Sequence, residues 1–527
     1  MSDPETLTAA HARDESDAQE RRPGPQRPPP RSWLPRGRVA IALLVIVLIG
    51  GAGRAYFAAN PHTEHLSTDE RSYANLAVNL VEKGKYGGSE EGEVRDPLHW
   101  PPGTPVLFAI SYLIAPEDTD PKRPSFAAAY WSLWLVGTAL IVVAFGIASL
   151  LAGPGSGLLA AGAVALYPPL IFEGSDLLSE PLGALLVAVS VLTLLLAWRE
   201  PTWWRWALCG VALALAVLTR ADLLLIPFIA AAVVAVAHFR PLGWRRALAS
   251  AGCLVAGALV LMIPWSIIAS SQEDKFVPVT TGSGPALYVG TYLPGKGGTG
   301  GLKQDCKRTH PPGDTTCERA KRILDEVAAR HPELDRSDAL SKEARENLTK
   351  YPFEEPFEFG KLMLEKVRRM WLQYAHGGGR DTKDSILYIH GALVMLALAG
   401  LLLGLWRTRH AVLAFFLLVI LEATALHTLA TSYPRYALPL LPALVATGIA
   451  GISRWRSAEE PRRPLDWLKL FGPPALLSLA LIVALRELTD ALKIEPSLVI
   501  LLFLGCAGVV MAAVNACARW TAPAASP

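Results

Sequence analysis

Five charged side chains in this sequence stand where a purely structural role would be costly: Asp69, Glu70, Glu180, Arg220 and Arg435. Each lies beside or between long apolar runs, and an ionised group held close to a hydrocarbon phase suffers a desolvation penalty unless it is paired or has a task. Asp69-Glu70 follows the first apolar segment, in Ser67-Thr68-Asp69-Glu70-Arg71-Ser72-Tyr73. Glu180 stands in Ser179-Glu180-Pro181-Leu182, Arg220 in Leu218-Thr219-Arg220-Ala221-Asp222, and Arg435 in Tyr433-Pro434-Arg435-Tyr436. Carboxylates suit general-base work and the orientation of an acceptor hydroxyl. Guanidinium groups suit anions, phosphate above all. Together they could transfer a group from a phosphate leaving group: Asp69 leads as base, Glu70 is the fallback, Glu180 is a second acid, and Arg220 and Arg435 hold the phosphate. Tyr73 and His99, with Trp100, could line a sugar by stacking and hydrogen bonding.

Each assignment has a structural alternative. Asp69 and Glu70 could be solvated, or could cap the helix they precede. Glu180 could cap a helix before Pro181. The arginines could snorkel to lipid head groups, and Asp222 could neutralise Arg220. Tyr and Trp also populate interfacial aromatic belts without binding anything.

The elements that must position these residues follow from the apolar pattern. Of 527 residues, 51% are hydrophobic and only 18% charged. Apolar runs of roughly 20 residues recur, the signature of membrane-crossing helices. The chain reads as an all-α polytopic membrane protein of about twelve spans. They are near 39-59, 125-150, 155-172, 178-198, 205-220, 221-239, 246-269, 386-406, 411-431, 434-452, 470-487 and 496-515. Arg199, Arg205, Arg240, Arg245, Arg246, Arg407, Arg409, Arg454, Arg456, Arg462, Arg463, Lys469 and Arg519 all fall on one side of this topology. The positive-inside rule makes that side cytoplasmic, along with the amino terminus. The net charge of +3 carries less information than this distribution.

Four segments follow. Residues 1-38 read as a disordered cytoplasmic tail rich in Pro and Arg. Residues 39-269 form an amino-terminal membrane module whose first loop, 60-124, holds Asp69. Residues 270-385 form an extracytoplasmic loop or subdomain, with glycine-rich turns and a charged helical stretch near 317-350. Residues 386-527 form the carboxy-terminal membrane module. Within the first loop, 71-83 has helical apolar spacing suited to the membrane plane. The rigid turn Trp100-Pro101-Pro102-Gly103-Thr104-Pro105 leads into an apolar stretch, 105-115, too short to cross and expected to be re-entrant or interfacial. Cys306 and Cys317 share the polar segment and could pair if it lies outside the cytoplasm. The other four cysteines lie in apolar runs and read as packing residues. Asn347-Leu348-Thr349 fits a glycosylation acceptor, a pattern that arises often by chance.

These stretches, in this order and topological placement, resemble the polyprenyl-phosphate-dependent glycosyltransferases of the GT-C fold, the group that includes protein mannosyltransferases and the lipid A aminoarabinose transferase. The resemblance rests on Asp69-Glu70 with Tyr73-Ala74, Pro101-Pro102-Gly103-x-Pro105, Ser179-Glu180-Pro181-Leu182, the run Gly210 to Arg220, Pro264-Trp265 with Phe276-Val277-Pro278, and Arg435-Tyr436-x-x-Pro439. It spans most of residues 39 to 455. It implies a sugar donor on a polyprenyl phosphate, transfer to an extracytoplasmic glycan, lipid or protein acceptor, residence in the cytoplasmic (inner) membrane, Asp69 as base or acceptor-positioning group, and Arg435-Tyr436 at the substrate. Pro264-Trp265 is often followed in that group by an Arg-Asn pair, where Ile267-Ile268 and Ala269-Ser270 stand here. No cofactor is specified; a divalent metal is compatible, and no metal-ligand spacing is present. No Walker, zinc, nucleophile-elbow or kinase motif appears, and no nucleic-acid partner is implied. The competing class is a polytopic transporter or lipid-linked-sugar flippase, which also commonly has twelve spans; a non-catalytic envelope scaffold is a third. No interrupted helices recur in matching halves, as transporters would show.

Overall fold

The computed structural model describes residues 35–61, 66–87, 97–117, 126–172, 174, 176–309, 321–373, 384–454, 464–495 and 498–520. The expected tail falls almost wholly outside them, as do Cys317 and the side chains of Arg454, Arg456, Arg462, Arg463 and Arg519.

The described chain is helical throughout. In order the helices are α1 (Arg36–Ala59), α2 (Thr68–Lys83), α3 (Gly103–Ile114), α4 (Ala127–Ala152), α5 (Pro154–Leu166), α6 (Pro168–Phe172), α7 (Glu180–Arg199), α8 (Trp203–Thr219), α9 (Ile226–Leu242) and α10 (Trp244–Glu273). After these come α11 (Ser283–Thr291), α12 (Thr299–Thr309), α13 (Lys321–Ala328), α14 (Arg336–Glu354), α15 (Pro356–Leu372), α16 (Asp384–Thr408), α17 (Ala411–Leu429), α18 (Leu441–Arg454), α19 (Pro464–Ala491) and α20 (Val499–Trp520). Among the described residues, nine helices are long and apolar enough to cross a membrane. This is an all-α polytopic membrane protein.

Three of the twelve expected spans are apolar helices of only 10–17 residues: Pro154–Leu166, Trp203–Thr219 and Leu441–Ser453. The reasons are local. Tyr167 leaves helical geometry before Pro168, so the expected 155-172 run breaks into α5 and α6. A helix tends to end before proline because the ring crowds the preceding residue. The expected span 434-452 opens instead with a tight turn, Pro434–Ala437, before α18. Arg220 ends α8 in an extended conformation. Two of these three interruptions deliver a site residue.

Helix α2 takes the expected position in the first loop, and α3 forms the short apolar helix that follows the proline turn. A capping box starts α2: Glu70 N donates to Ser67 Oγ (3.3 Å) and Ser67 N donates to Glu70 Oε2 (2.7 Å). This satisfies two of the four backbone donors left over at a helix start. Tyr73, Ala74, Ala77 and Val78 of α2 join Phe108 and Tyr112 of α3, Tyr130 and Leu133 of α4, and Leu177-Leu178 in one apolar cluster. The main core lies among α4, α5, α7, α8, α9, α10, α15, α16, α17, α18, α19 and α20.

The segment between α10 and α16 carries its own smaller apolar cluster, in which Tyr288, Leu302, Cys306, Val327, Leu340 and Ala344 meet. Cys306 is disulfide-bonded, whereas Cys209, Cys253 and Cys506 are free. A disulfide belongs to an oxidising compartment. Asn347 is buried with its amide directed at Thr291 Oγ1 (3.4 Å), so the glycosylation pattern there is packing.

Candidate active site

Four turns meet at one end of the bundle, and each brings one of the charged residues singled out above. The first turn of α2 brings Asp69. The start of α7 brings Glu180, the end of α8 brings Arg220, and the tight turn Pro434–Ala437 brings Arg435.

They form a chain of alternating charge. Arg435 Nη2 donates to Asp69 Oδ2 at 2.6 Å. Arg435 Nε lies 3.3 Å from Glu180 Oε1, and the same oxygen lies 3.3 Å from Arg220 Nη1. Arg220 then grips Asp222 with two nitrogens, Nε to Oδ1 (3.2 Å) and Nη2 to Oδ2 (3.0 Å), while Nη1 also donates to Ser179 Oγ (3.2 Å). Asp222 Oδ2 receives a further contact at 3.0 Å from His427 Nε2.

Exposure is greatest at the Asp69 end of this chain and lower at the other, where Asp222 keeps 16% and His427 8%. Asp69 and Arg435 retain 35% and 25% of their side-chain exposure, Glu180 and Arg220 only 4% and 6%. Asp69 Oδ1 and Arg435 Nη1 have no partner among the described residues, whereas every guanidinium nitrogen of Arg220 is engaged. The chain thus has a closed, buried end at Arg220 and Asp222 and an open end at Asp69 and Arg435. An arginine with a free donor can receive an anion. One whose three nitrogens all face protein groups, as in Arg220, serves to hold its neighbours in place.

The aromatic residues frame the arginines. Tyr436 lies under Arg220 at 5.4 Å and under Arg435 at 5.8 Å from ring centre to guanidinium carbon, and Arg435 also sits 5.9 Å from Tyr433. Cations favour the negative face of an aromatic ring, more so where water is scarce. Tyr73 is buried in contact with Ser179; burial pushes its phenol well above the ordinary value, and nearby Asp69 and Glu180 add to this. Its hydroxyl therefore stays protonated as a donor.

Close backbone approach makes the arrangement fit. A Cβ on Gly183 would come within 2.7 Å of Arg220 Cδ, so glycine there lets the arginine lie flat across α7. At the start of α3, a Cβ on Gly103 would meet Thr219 Oγ1 at 2.3 Å, which seats the proline turn against the residue preceding Arg220.

Two of the sequence candidates stand elsewhere. Glu70 caps α2 and accepts from Leu177 N with its second oxygen at 3.2 Å, which ties the first loop to the turn that carries Ser179 and Glu180. Both of its oxygens are thereby used by backbone. His99 packs edge-on against Trp100 and lies so close to Gly282 that a Cβ there would fall 2.1 Å from its ring. Leu98 O accepts from Thr281 N (3.0 Å), so this part of the first loop is fastened to the segment after α10. Sequence reasoning passed over His427 altogether; its only signal was a histidine in an apolar helix. Asp222 was seen as a possible neutraliser of Arg220, which is its observed contact.

For a divalent metal the donor set is a poor fit. Asp69, Glu180 and Asp222 each face arginine rather than converging on one point, and no group of three or more His, Cys, Asp or Glu among the described residues could hold an ion.

Comparison with solved structures places this architecture. The crystal structure of the Archaeoglobus fulgidus oligosaccharyltransferase tethered with an acceptor peptide containing the NVT sequon matches with a TM-score of 0.50 and 14% identity, over 94% of this chain and 57% of that one. The chain has the GT-C fold. The apo form of the same enzyme gives 0.49 at 14% identity, over 94% of this chain and 57% of that one. ArnT from Cupriavidus metallidurans bound to undecaprenyl phosphate gives 0.47 at 13%, over 92% and 78% of the two chains. This GT-C chain spans little more than half the length of the oligosaccharyltransferase. No family model and no curated protein sequence matches it.

Proposed function

We propose that this protein is a glycosyltransferase that moves a sugar from a polyprenyl-phosphate donor to an acceptor outside the cytoplasm, in the cytoplasmic membrane, with its amino terminus inside. The observation that carries the reading is the open end of the charge chain, where a free carboxylate oxygen of Asp69 and a free nitrogen of Arg435 lie on an ion pair of 2.6 Å. The GT-C fold, the order of the sequence motifs and the disulfide at Cys306 support the reaction class and the compartment.

The reaction is a single displacement. The acceptor hydroxyl attacks the anomeric carbon, and its proton passes to Asp69 Oδ1. The bond from that carbon to the phosphate oxygen breaks, and its electron pair leaves with the lipid phosphate. Arg435 Nη1 stabilises the charge that develops there, the electrostatic part of catalysis. The two events reinforce one another: as Asp69 takes the proton its hold on Arg435 weakens, freeing the guanidinium for the phosphate. Glu180 and Arg220 fix Arg435 from behind, a supporting role that takes Arg220 out of direct contact with the phosphate. Tyr73 and Tyr436 wall the site. Glycan, lipid and protein are all admissible acceptors.

The test is transfer from a labelled polyprenyl-phosphate sugar by membranes carrying the wild type or Asp69→Asn. The variant is expected to lose at least 100-fold, the usual worth of a general base. Equal rates would remove Asp69 from the mechanism.

A further inference from the structure

The buried end of the charge chain carries more than packing. His427, from α17, is 6% exposed and makes two polar contacts. Nε2 lies 3.0 Å from Asp222 Oδ2, and Nδ1 lies 3.2 Å from the carbonyl oxygen of Thr431. A carbonyl oxygen can only accept a hydrogen bond, and so can an ionised carboxylate. A neutral imidazole has one donor and one acceptor nitrogen, so either tautomer would set a bare nitrogen against an oxygen lone pair. Only the doubly protonated ring satisfies both.

We propose that His427 is a positioning residue in its imidazolium form and the third cation of the site. With it the chain holds three carboxylates (Asp69, Glu180, Asp222) and three cations (Arg435, Arg220, His427), alternating from one end to the other. The protein groups then cancel. Without the His427 charge the chain is one negative charge in excess, which opposes an anionic ligand at its open end.

The groups around the ring fit this assignment. Asp222 faces it from the turn after α8, with Arg220 behind. Tyr436, from the Pro434–Ala437 turn, stacks on it at 4.5 Å and 31°, so this one phenol ring has three cations against it, Arg435 being the third. On its own helix Glu422 has a buried oxygen, Oε2, with no hydrogen-bond partner among the described residues, and stands near Asp222. From α15, Lys366 reaches the neighbouring strap: its amine donates to Gly290 O and its carbonyl accepts from Ser432 Oγ. The result is mechanical as well as electrostatic. His427 holds Asp222, Asp222 occupies two nitrogens of Arg220, and Arg220 turns its remaining nitrogen to Ser179 and Glu180, which leaves Arg435 as the arginine with an unengaged nitrogen.

This inference rests on the proposed site, and the experiment separates the two. The first arm is nitrogen-15 NMR of histidine-labelled protein in detergent at pH 7.5, with the His427 signals assigned by their loss in His427→Gln. Two protonated ring nitrogens are expected. One unprotonated nitrogen overturns the proposal whatever the protein binds. The second arm measures the affinity for undecaprenyl phosphate itself, without sugar, in wild type, His427→Gln and His427→Leu of matched thermal stability. Leucine is expected to weaken binding at least tenfold, and glutamine, which keeps a donor towards Asp222, less. Equal binding by all three overturns the positioning role. If the wild type itself fails to bind undecaprenyl phosphate, the donor reading falls while the NMR result still decides the charge on His427.

Discussion

Replacing Glu180 by glutamine is the most searching single change in this site. Its Oε1 lies 3.3 Å from a nitrogen of Arg220 and 3.3 Å from one of Arg435, and the side chain is 4% exposed. At an effective dielectric of about 20, each unit-charge contact at that distance has a gross attraction of roughly 5 kcal/mol. Most of that was used to desolvate the ions, so the net quantity is smaller. Breaking a buried pair by removing one partner costs about 3–5 kcal/mol. Here the lower end applies, because Arg220 keeps Asp222 and Arg435 keeps Asp69, and the amide retains volume and one acceptor. The expected cost is therefore about 3 kcal/mol, a large part of the roughly 5–15 kcal/mol that holds a domain folded. Reversible denaturation in detergent measures it directly, and transfer by the surviving folded protein should fall because Arg435 loses its rear support. Unchanged stability together with unchanged transfer would show that the two arginines do not depend on Glu180, and the charge-chain argument would be wrong.

Other expectations follow from the same contacts. Glu70→Gln should cost about 1 kcal/mol as a weakened cap and leave transfer near normal, the opposite of Asp69→Asn; a loss like that of Asp69→Asn would reinstate Glu70 as the base. Arg435→Gln should abolish binding of undecaprenyl phosphate in a folded protein, whereas Arg220→Gln should lower stability by about 3–5 kcal/mol through the stranded Asp222 and Glu180; the two variants are told apart by a binding isotherm and a melt. Gly183→Ala should destabilise by about 1–3 kcal/mol, the usual cost of overpacking, because its Cβ would fall 2.7 Å from Arg220 Cδ. Lys366 supplies a pH test outside the membrane spans. It is fully buried, and burial, helped by Arg369, pulls its amine from the ordinary 10.5 down to about 7. The unfolded chain then binds the proton more readily than the folded one between those values, so stability rises with pH from about 7 to 10.5 and carries the full penalty below 7. At about 1.4 kcal/mol per pH unit the ceiling is about 5 kcal/mol. Lys366→Met should therefore be more stable than wild type at pH 6 and should flatten this slope; an unchanged slope would show that another group produces it.

Much of the fold was legible in the sequence because the forces that decide it act locally. Apolar runs long enough to cross a bilayer declare themselves whatever they pack against. The helix expected at 71-83 from its apolar spacing forms over 68–83, and the apolar stretch at 105-115 behind the proline turn forms the helix at 103–114. The breaks that shorten the helices at 154–166 and 441–454 were less legible. Hydropathy averages across breaks such as Tyr167-Pro168, while backbone geometry does not.

The site divides along the same line. Residue chemistry and topological side were enough to bring forward Asp69, Glu180, Arg220 and Arg435, since a charge beside a membrane is conspicuous in any sequence. What each does was decided by distances between segments far apart in the chain. Asp69 and Glu70 are adjacent and chemically alike, yet successive helical positions point about 100° apart, so one reaches Arg435 while the other turns back to Ser67 and Leu177. Arg220 and Arg435 look equivalent in sequence, but a carboxylate two residues away takes two nitrogens of Arg220, and Ser179 and Glu180 take the third. His427 was invisible because its carboxylate partner, Asp222, becomes a neighbour only when α17 packs beside the end of α8. Residue types and hydropathy set which groups could act; tertiary packing set which of them still have a free atom to act with.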